Sequence, residues 1–260
     1  MDATPTPDPA RGVFETLLVV AGEAVELGPH LERLAASLAA LYGAALPGDL
    51  EAEVTGRARR LRLGRMRIDV APGAEPRAAL ATEEVDPADF FPAWERGAQL
   101  HSRPCVGGLG RHKWADRRPL EGAGEGQVPL LLDRGEEVLE ASRANVFAVV
   151  GQVLITPAAD GRVLPGIARA GAIAAAREAG IEVSEGRLTR ARLLAADEVF
   201  LTGSVRGVEP ARSLDGVALP APTEVSRRVG AGLRRRWLAA PAAVAAPAPA
   251  AAPPPGPLAR

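Results

Sequence analysis

Glu140-Ala141-Ser142-Arg143-Ala144-Asn145-Val146-Phe147-Ala148-Val149-Val150-Gly151-Gln152-Val153-Leu154-Ile155-Thr156, followed by Leu164-Pro165-Gly166-Ile167-Ala168-Arg169, is the stretch that decides the fold. Val146–Val150 is an apolar run of strand length. Gly151-Gln152 turns it, and Val153–Thr156 returns as its partner. Pro165-Gly166 then opens a helix from Ile167 to Ala179, closed by Gly180 at a C-cap position. Upstream, Val128–Leu132 and Glu137–Glu140 read as short strands. Downstream come a strand at Ile181–Val183, a short helix over Thr189–Ala195 and a strand at Glu198–Leu201. Strands and helices interleave throughout, so the fold class is mixed α/β (α+β).

Toward the N-terminus, Val13–Val20 reads as a strand, Ala21-Gly22-Glu23 as a turn and Ala24–Leu27 as a returning strand. A helix follows over His30–Leu41. Leu31, Leu34, Leu38 and Leu41 share one of its faces and Arg33 stands off that stripe. A second helix is expected over about Leu50–Arg60, and Arg65–Val70 alternates polar and apolar as a strand does. Pro/Gly-rich sequence around Pro104–Gly110 suggests a connection. The expected organisation is an unstructured tail at residues 1–10 and a smaller N-terminal α/β domain at 11–105. An interdomain connection at 106–112, a larger C-terminal domain at 113–238 and an unstructured Ala/Pro tail at 239–260 complete it.

Composition excludes several classes. A net charge of −1 gives no overall polycation for nucleic acid. The arginines between Arg57 and Arg67 run into an alternating strand and lack aromatic stacking partners. Cys105 is the single cysteine, so no internal disulfide forms, which fits a reducing compartment. No apolar run approaches a membrane span, and the acidic, proline-rich start carries no secretory pattern. A cytoplasmic protein without a membrane, nucleic-acid or metal partner is expected.

The chain holds one lysine, Lys113, against thirty arginines. Arginine stays protonated at any working pH, whereas a lysine amine can lose its proton and attack a carbonyl. Gly166 with the N–H groups of Ile167 and Ala168 opens a helix, where orphan donors and the helix dipole suit an anion. Thr202-Gly203-Ser204 follows a strand and offers hydroxyls beside a glycine. Glu140 ends a short apolar strand.

Taken together and in order, these segments resemble the class IV aminotransferase family, the pyridoxal-phosphate enzymes of fold type IV. The resemblance rests on Lys113, Glu140–Phe147, Thr156-Pro157, Leu164–Arg169 and Ala196–Ser204, with Gly12–Thr16 and His30–Leu34 matching the family's opening. It covers about residues 11–215. It implies a two-domain enzyme with pyridoxal 5′-phosphate in the interdomain cleft, acting on a small-molecule substrate, and a homodimer. Lys113 would form the Schiff base with the cofactor and shuttle protons, and Glu140 would pair with the pyridine nitrogen. Arg33, the backbone at Gly166, Ile167 and Ala168, and the Ser204 hydroxyl would hold the phosphate. Asn145 is expected to hold the turn after Glu140.

Within the family the aminodeoxychorismate lyases are the better match. Gly12-Val13-Phe14-Glu15-Thr16, an arginine four positions after the lysine (Arg117) and Ser204–Pro210 resemble that branch. Branched-chain and D-amino-acid aminotransferases usually carry a tyrosine shortly beyond the lysine, where this chain has Asp116-Arg117-Arg118. The resemblance therefore implies cleavage of 4-amino-4-deoxychorismate to 4-aminobenzoate and pyruvate, a folate-pathway step, with an amino-acid aminotransferase as the alternative. Arg67, Arg117 or Arg206 would grip the substrate carboxylates.

Overall fold

Alternate residues of β1 (Val13–Val20) face two different cores. The computed structural model describes residues 6–73, 75–120, 124 and 126–239. After β1 come β2 (Glu23–Ala24), α1 (Leu27–Tyr42), α2 (Leu50–Ala58), β3 (Leu63–Ala71) and β4 (Arg77–Glu84). These four strands form an antiparallel sheet in the order β2-β1-β3-β4. Val13, Leu17 and Val19 of β1 join Met66, Ile68 and Val70 of β3 beneath Leu31, Leu34 and Leu38 of α1 and Val54 of α2. The period of two that puts these residues on one face sends Phe14 and Leu18 to the other.

The remaining strands are β5 (Ala98–Pro104), β6 (Gln127–Asp133), β7 (Glu137–Ala141), β8 (Asn145–Val150), β9 (Val153–Thr156) and, after α3 (Ile167–Glu178), β10 (Glu182–Glu185). After α4 (Arg190–Leu194) come β11 (Glu198–Gly203), β12 (Gly207–Leu214), β13 (Val217–Ala218) and the terminal α5 (Glu224–Ala239). Among the described residues they form a nine-stranded mixed sheet, β10-β9-β8-β11-β12-β5-β6-β7, with β13 on β12. β8 and β11 are buried on both faces, which explains their continuous apolar sequences. Val146, Ala148, Val199 and Leu201 point into one core. Phe147 and Phe200, stacked with ring centroids 5.0 Å apart, point into the other, under α3 and α5. Leu18 of the first sheet packs into this second core. A continuous apolar layer thus joins the two sheets.

Several expectations change. The returning strand after Val20 is only Glu23–Ala24, because α1 already begins at Leu27. Residues 98–105 do not side with the N-terminal sheet: β5 pairs in parallel with β12 and β6 of the large sheet. Residues 8–11 are held rather than loose. Asp8 caps a 3-10 turn at Pro9–Arg11, its N–H donates to Asp116 Oδ2 at 2.9 Å, and Tyr42 donates to the Pro9 carbonyl at 2.7 Å. Ala239, placed in the second expected tail, is the last residue of α5, and residues 1–5 and 240–260, where most of the rest of the two tails falls, lie outside the described residues. No helix of the described residues is long and apolar enough to cross a membrane.

Candidate active site

The free edge of β1 beside Val13 places the lysine. Phe14 N–H donates to the Lys113 carbonyl at 2.8 Å and Ala115 N–H donates to the Gly12 carbonyl at 3.0 Å, so Lys113–Ala115 runs as a short extension of the first sheet. Trp114 fastens the preceding loop through Nε1–H to the Leu109 carbonyl at 2.8 Å. Lys113 Nζ then lies 4.8 Å from the centre of the Phe14 ring, whose aromatic surroundings also hold Arg67 at 3.8 Å and Arg117 at 5.8 Å.

Lys113, Arg33, Arg117, Glu140, Gly166, Ile167, Ala168 and Ser204 all line one cavity between the two sheets. Enclosure by protein lowers the Lys113 amine from 10.5 to about 8, with Arg33 and Arg117 pushing the same way against Glu15 and Glu140. Glu140 is raised to about 8, because burial outweighs the N–H of Leu164 and the surrounding cations. Two titratable groups of opposite type are thus both brought close to neutral pH.

Three local devices hold this arrangement. Glu140, next to the last residue of β7, accepts from Leu164 N–H at 3.2 and 3.3 Å, while Asn145 Nδ2 donates to the Leu164 carbonyl at 3.0 Å and reaches Glu140 Oε2 at 3.4 Å. The turn after Glu140, expected to be held by Asn145, is closed instead by the backbone of Ala141 and Ala144, and Asn145 ties Glu140 to Leu164. Gly166 is required by the same residue: a Cβ there would sit 1.9 Å from Asn145 Oδ1. Glu15, on the helix-facing side of β1, takes two hydrogen bonds from Arg33, at 2.8 and 2.7 Å, and one contact from His30 Nδ1 at 2.8 Å. Arg33 Nη1 spans to the Pro165 carbonyl at 3.0 Å and so ties α1 to the start of α3.

Polar groups without protein partners point to what the cavity accommodates. α3 starts at Gly166 with no side-chain cap, leaving its first N–H groups free for an anion. Thr202 Oγ1 is buried on the cavity wall with no hydrogen-bond partner among the described residues. An orphaned buried hydroxyl beside an open helix N-terminus, a guanidinium and the Ser204 hydroxyl is a donor set that fits a phosphate group.

Of the three arginines considered for substrate, only Arg117 lines the cavity, its Nη2 donating to the Ser142 carbonyl. Arg67 is engaged by Asp69 at 2.6 Å and Arg206 by Asp89 and Glu209 at 3.2 and 3.4 Å. Sequence reasoning gave no role to Glu15, His30 or Arg143, and of Thr202 it noted only a hydroxyl beside a glycine. A charged Glu15 on the apolar face of a strand is the one local signal that was there to find.

Comparison with known proteins points to one family. Residues 113–214 match the sequence model of the family described as amino-transferase class IV. A stretch of 91 residues, 35% of this chain, is 42% identical to the branched-chain-amino-acid aminotransferase of Escherichia coli K12 but spans only 29% of that relative's length. Among solved structures, the 4-amino-4-deoxychorismate lyase of Pseudomonas aeruginosa is similar with a TM-score of 0.69 and 27% identity, over 86% of this chain and 90% of the other. The PLP-bound form of a hypothetical aminotransferase from Mycobacterium tuberculosis shares the fold, with a TM-score of 0.77 at 21% identity over 92% of this chain and 94% of the other. These matches tie residues 113–214 to the class IV amino-transferase family in sequence, and most of the chain to the fold of its solved structures.

Proposed function

We propose that the chain binds pyridoxal 5′-phosphate, the cofactor of the class IV amino-transferases it resembles, and cleaves 4-amino-4-deoxychorismate to 4-aminobenzoate and pyruvate. The observation that carries this reading is the meeting of Lys113, near 8, with Glu140 in one cavity that also presents phosphate-binding donors. When bound, the cofactor supplies an aldehyde for a primary amine and a pyridinium ring that accepts electrons from the bond being broken. Lys113 is the only side-chain amine, so it would hold that aldehyde. As a free base with a conjugate acid near 8, it would then remove the proton from the substrate carbon bearing nitrogen. Glu140 would hold the ring nitrogen and keep it protonated. Arg33, the N–H groups of Ile167 and Ala168, and the Thr202 and Ser204 hydroxyls would hold the phosphate. Leu109, Leu120 and Leu131 on the cavity wall would limit water at the reacting carbon.

The absence of a tyrosine near Lys113 and the likeness to the Pseudomonas lyase over most of the chain support cleavage over amino transfer. The identity to the branched-chain aminotransferase favours the second reading, transfer between an amino acid and a 2-oxo acid. Product analysis separates them. Protein loaded with pyridoxal phosphate is given freshly made aminodeoxychorismate, with Lys113→Ala as control. Pyruvate and 4-aminobenzoate from the wild type alone support the lyase. An intact cofactor spectrum without either product, together with conversion of an amino acid to its 2-oxo acid, establishes the transferase instead. A cytoplasmic homodimer belongs to the same proposal, and sedimentation of the purified protein checks the assembly.

A further inference from the structure

Ser142 and Arg143 are the two central residues of the tight turn between β7 and β8, closed by hydrogen bonds from Ala141 N–H to the Ala144 carbonyl at 2.9 Å and from Ala144 N–H back at 3.2 Å. Two cavity arginines meet on this turn. Arg117 is anchored to it through the Ser142 carbonyl, and Arg143 is part of it. Arg117 makes no hydrogen bond or ion pair with a carboxylate among the described residues. The Arg143 side chain is fixed from behind: Nη1 and Nη2 donate to Glu209 at 2.7 and 2.8 Å, and Glu209 is 2% exposed on β12. The Arg143 side chain itself is 39% exposed. Its Nε–H and the outer N–H of each terminal nitrogen have no partner among the described residues.

A buried carboxylate that grips one edge of a guanidinium removes its rotamer freedom and leaves the other edge oriented. Arg206 plays no equivalent part. It shares Glu209 with Arg143, is drawn to Asp89 as well, and does not line the cavity. Arg67, folded onto Asp69 and the Phe14 ring, is likewise outside the lining.

We propose that the Ser142-Arg143 turn is the carboxylate-reading subsite of the cavity, with Arg143, oriented by Glu209, as its specificity-determining residue and Arg117 beside it. The substrate class is a primary amine that also bears two carboxylates. This rests on the functional reading above, which supplies the amine chemistry, but the anion subsite is tested apart from it.

The test uses unreactive probes on the cofactor-loaded full chain. Isophthalate, a ring with two carboxylates, and benzoate, with one, are titrated while the cofactor absorbance and intrinsic tryptophan fluorescence are followed. The wild type is expected to bind isophthalate more tightly than benzoate. Arg143→Gln is expected to weaken isophthalate by about ten- to a hundredfold, the range of a charge-assisted hydrogen bond, with benzoate shifted by less than about threefold. Arg143→Lys, which keeps the charge and loses the fork, should recover part of the loss. Arg206→Gln should change isophthalate binding by less than about threefold, since a contact outside the cavity adds little. Arg143→Gln should melt below the wild type, because Glu209 loses its two-pronged partner, so wild-type cofactor absorbance and far-ultraviolet dichroism at the titration temperature show that the fold is intact.

Wild type that binds both probes equally or binds neither, or an Arg143→Gln that binds isophthalate like the wild type, overturns the subsite. So does a loss in Arg206→Gln as large as that in Arg143→Gln. Failure of the lyase reading appears elsewhere, in the product analysis, and leaves the probe titrations readable.

Discussion

Glu15 and Arg33 are joined by two hydrogen bonds, Nε to Oε1 at 2.8 Å and Nη2 to Oε2 at 2.7 Å, although one residue lies on a strand and the other on a helix. Glu15 is 1% exposed, and His30, equally buried, holds its Oε2 from the other side. A buried carboxylate tolerates its surroundings only when paired in this way. The pair fixes the one direction in which Arg33 can extend, toward Pro165 and the start of α3.

Glu15→Gln should therefore weaken both the fold and the cofactor site. Removing one partner of a buried pair costs about 3 kcal/mol. Burial pushes the Glu15 carboxyl up, but hydrogen bonds from His30 and Arg33 more than reverse this, leaving it at about 2 against an ordinary 4.5. A folded-state value below the unfolded one means that the stabilisation is complete above about pH 5 and is lost as pH falls through 4.5 toward 2. Denaturant titrations from pH 7 to pH 3 should show the wild type losing stability faster than Glu15→Gln. Parallel pH curves for the two proteins would contradict the pairing.

Lys113 offers a direct chemical readout, because it is the chain's only lysine. Its amine, lowered from 10.5 to about 8, is neutral above that pH and charged below it. Capture of pyridoxal phosphate, trapped by borohydride and located by peptide mapping, is expected on Lys113. Its rate should fall as pH drops through about 8, since only the free amine attacks a carbonyl. A rate still rising steeply above pH 10 would mean an ordinary exposed lysine.

Gly166 is needed for contact rather than for backbone freedom, since its φ of −69° and ψ of 135° suit any residue. An added methyl would meet Asn145 Oδ1, on the same amide whose Nδ2 donates to the Leu164 carbonyl and to Glu140. Gly166→Ala should lower stability by about 1–3 kcal/mol, as overpacking does, and should weaken cofactor binding. Asn145→Ala placed on top of it should cost less than Asn145→Ala alone, because the clash has gone. Strict additivity in melting and cofactor titrations would show that the two positions do not touch.

The sequence was legible where burial is periodic or continuous. β1, α1, β8, β9 and α3 follow from apolar spacing and turn residues alone. β4 was hidden because Arg77–Glu84 is half-exposed at a sheet edge and carries no apolar stripe. β12 carries Pro210 and Arg212, and α5 carries five arginines, so neither advertises its buried face. At the site, Lys113, Glu140, Arg33 and the start of α3 were reached by resemblance to a family. Glu15 with its partners at positions 30 and 33, and Arg143 with Glu209 sixty-six residues away, depend on chain-distant pairing that local spacing does not encode.

Thr202 gives a case in which stability and binding should move in opposite directions. Its Oγ1 is buried on the cavity wall without a partner among the described residues. An unsatisfied buried hydroxyl destabilises by about 1–3 kcal/mol, and valine has nearly the same shape without the polar atom. Thr202→Val is therefore expected to melt at the same or a higher temperature than the wild type when free of cofactor. If the hydroxyl donates to the cofactor phosphate, the variant should also bind pyridoxal phosphate about tenfold more weakly, the worth of one hydrogen bond to a charged acceptor. The ³¹P resonance of the bound cofactor should shift as well. Unchanged affinity and an unchanged resonance would remove Thr202 from the phosphate site and leave Ser204 as the hydroxyl on that side of the cavity.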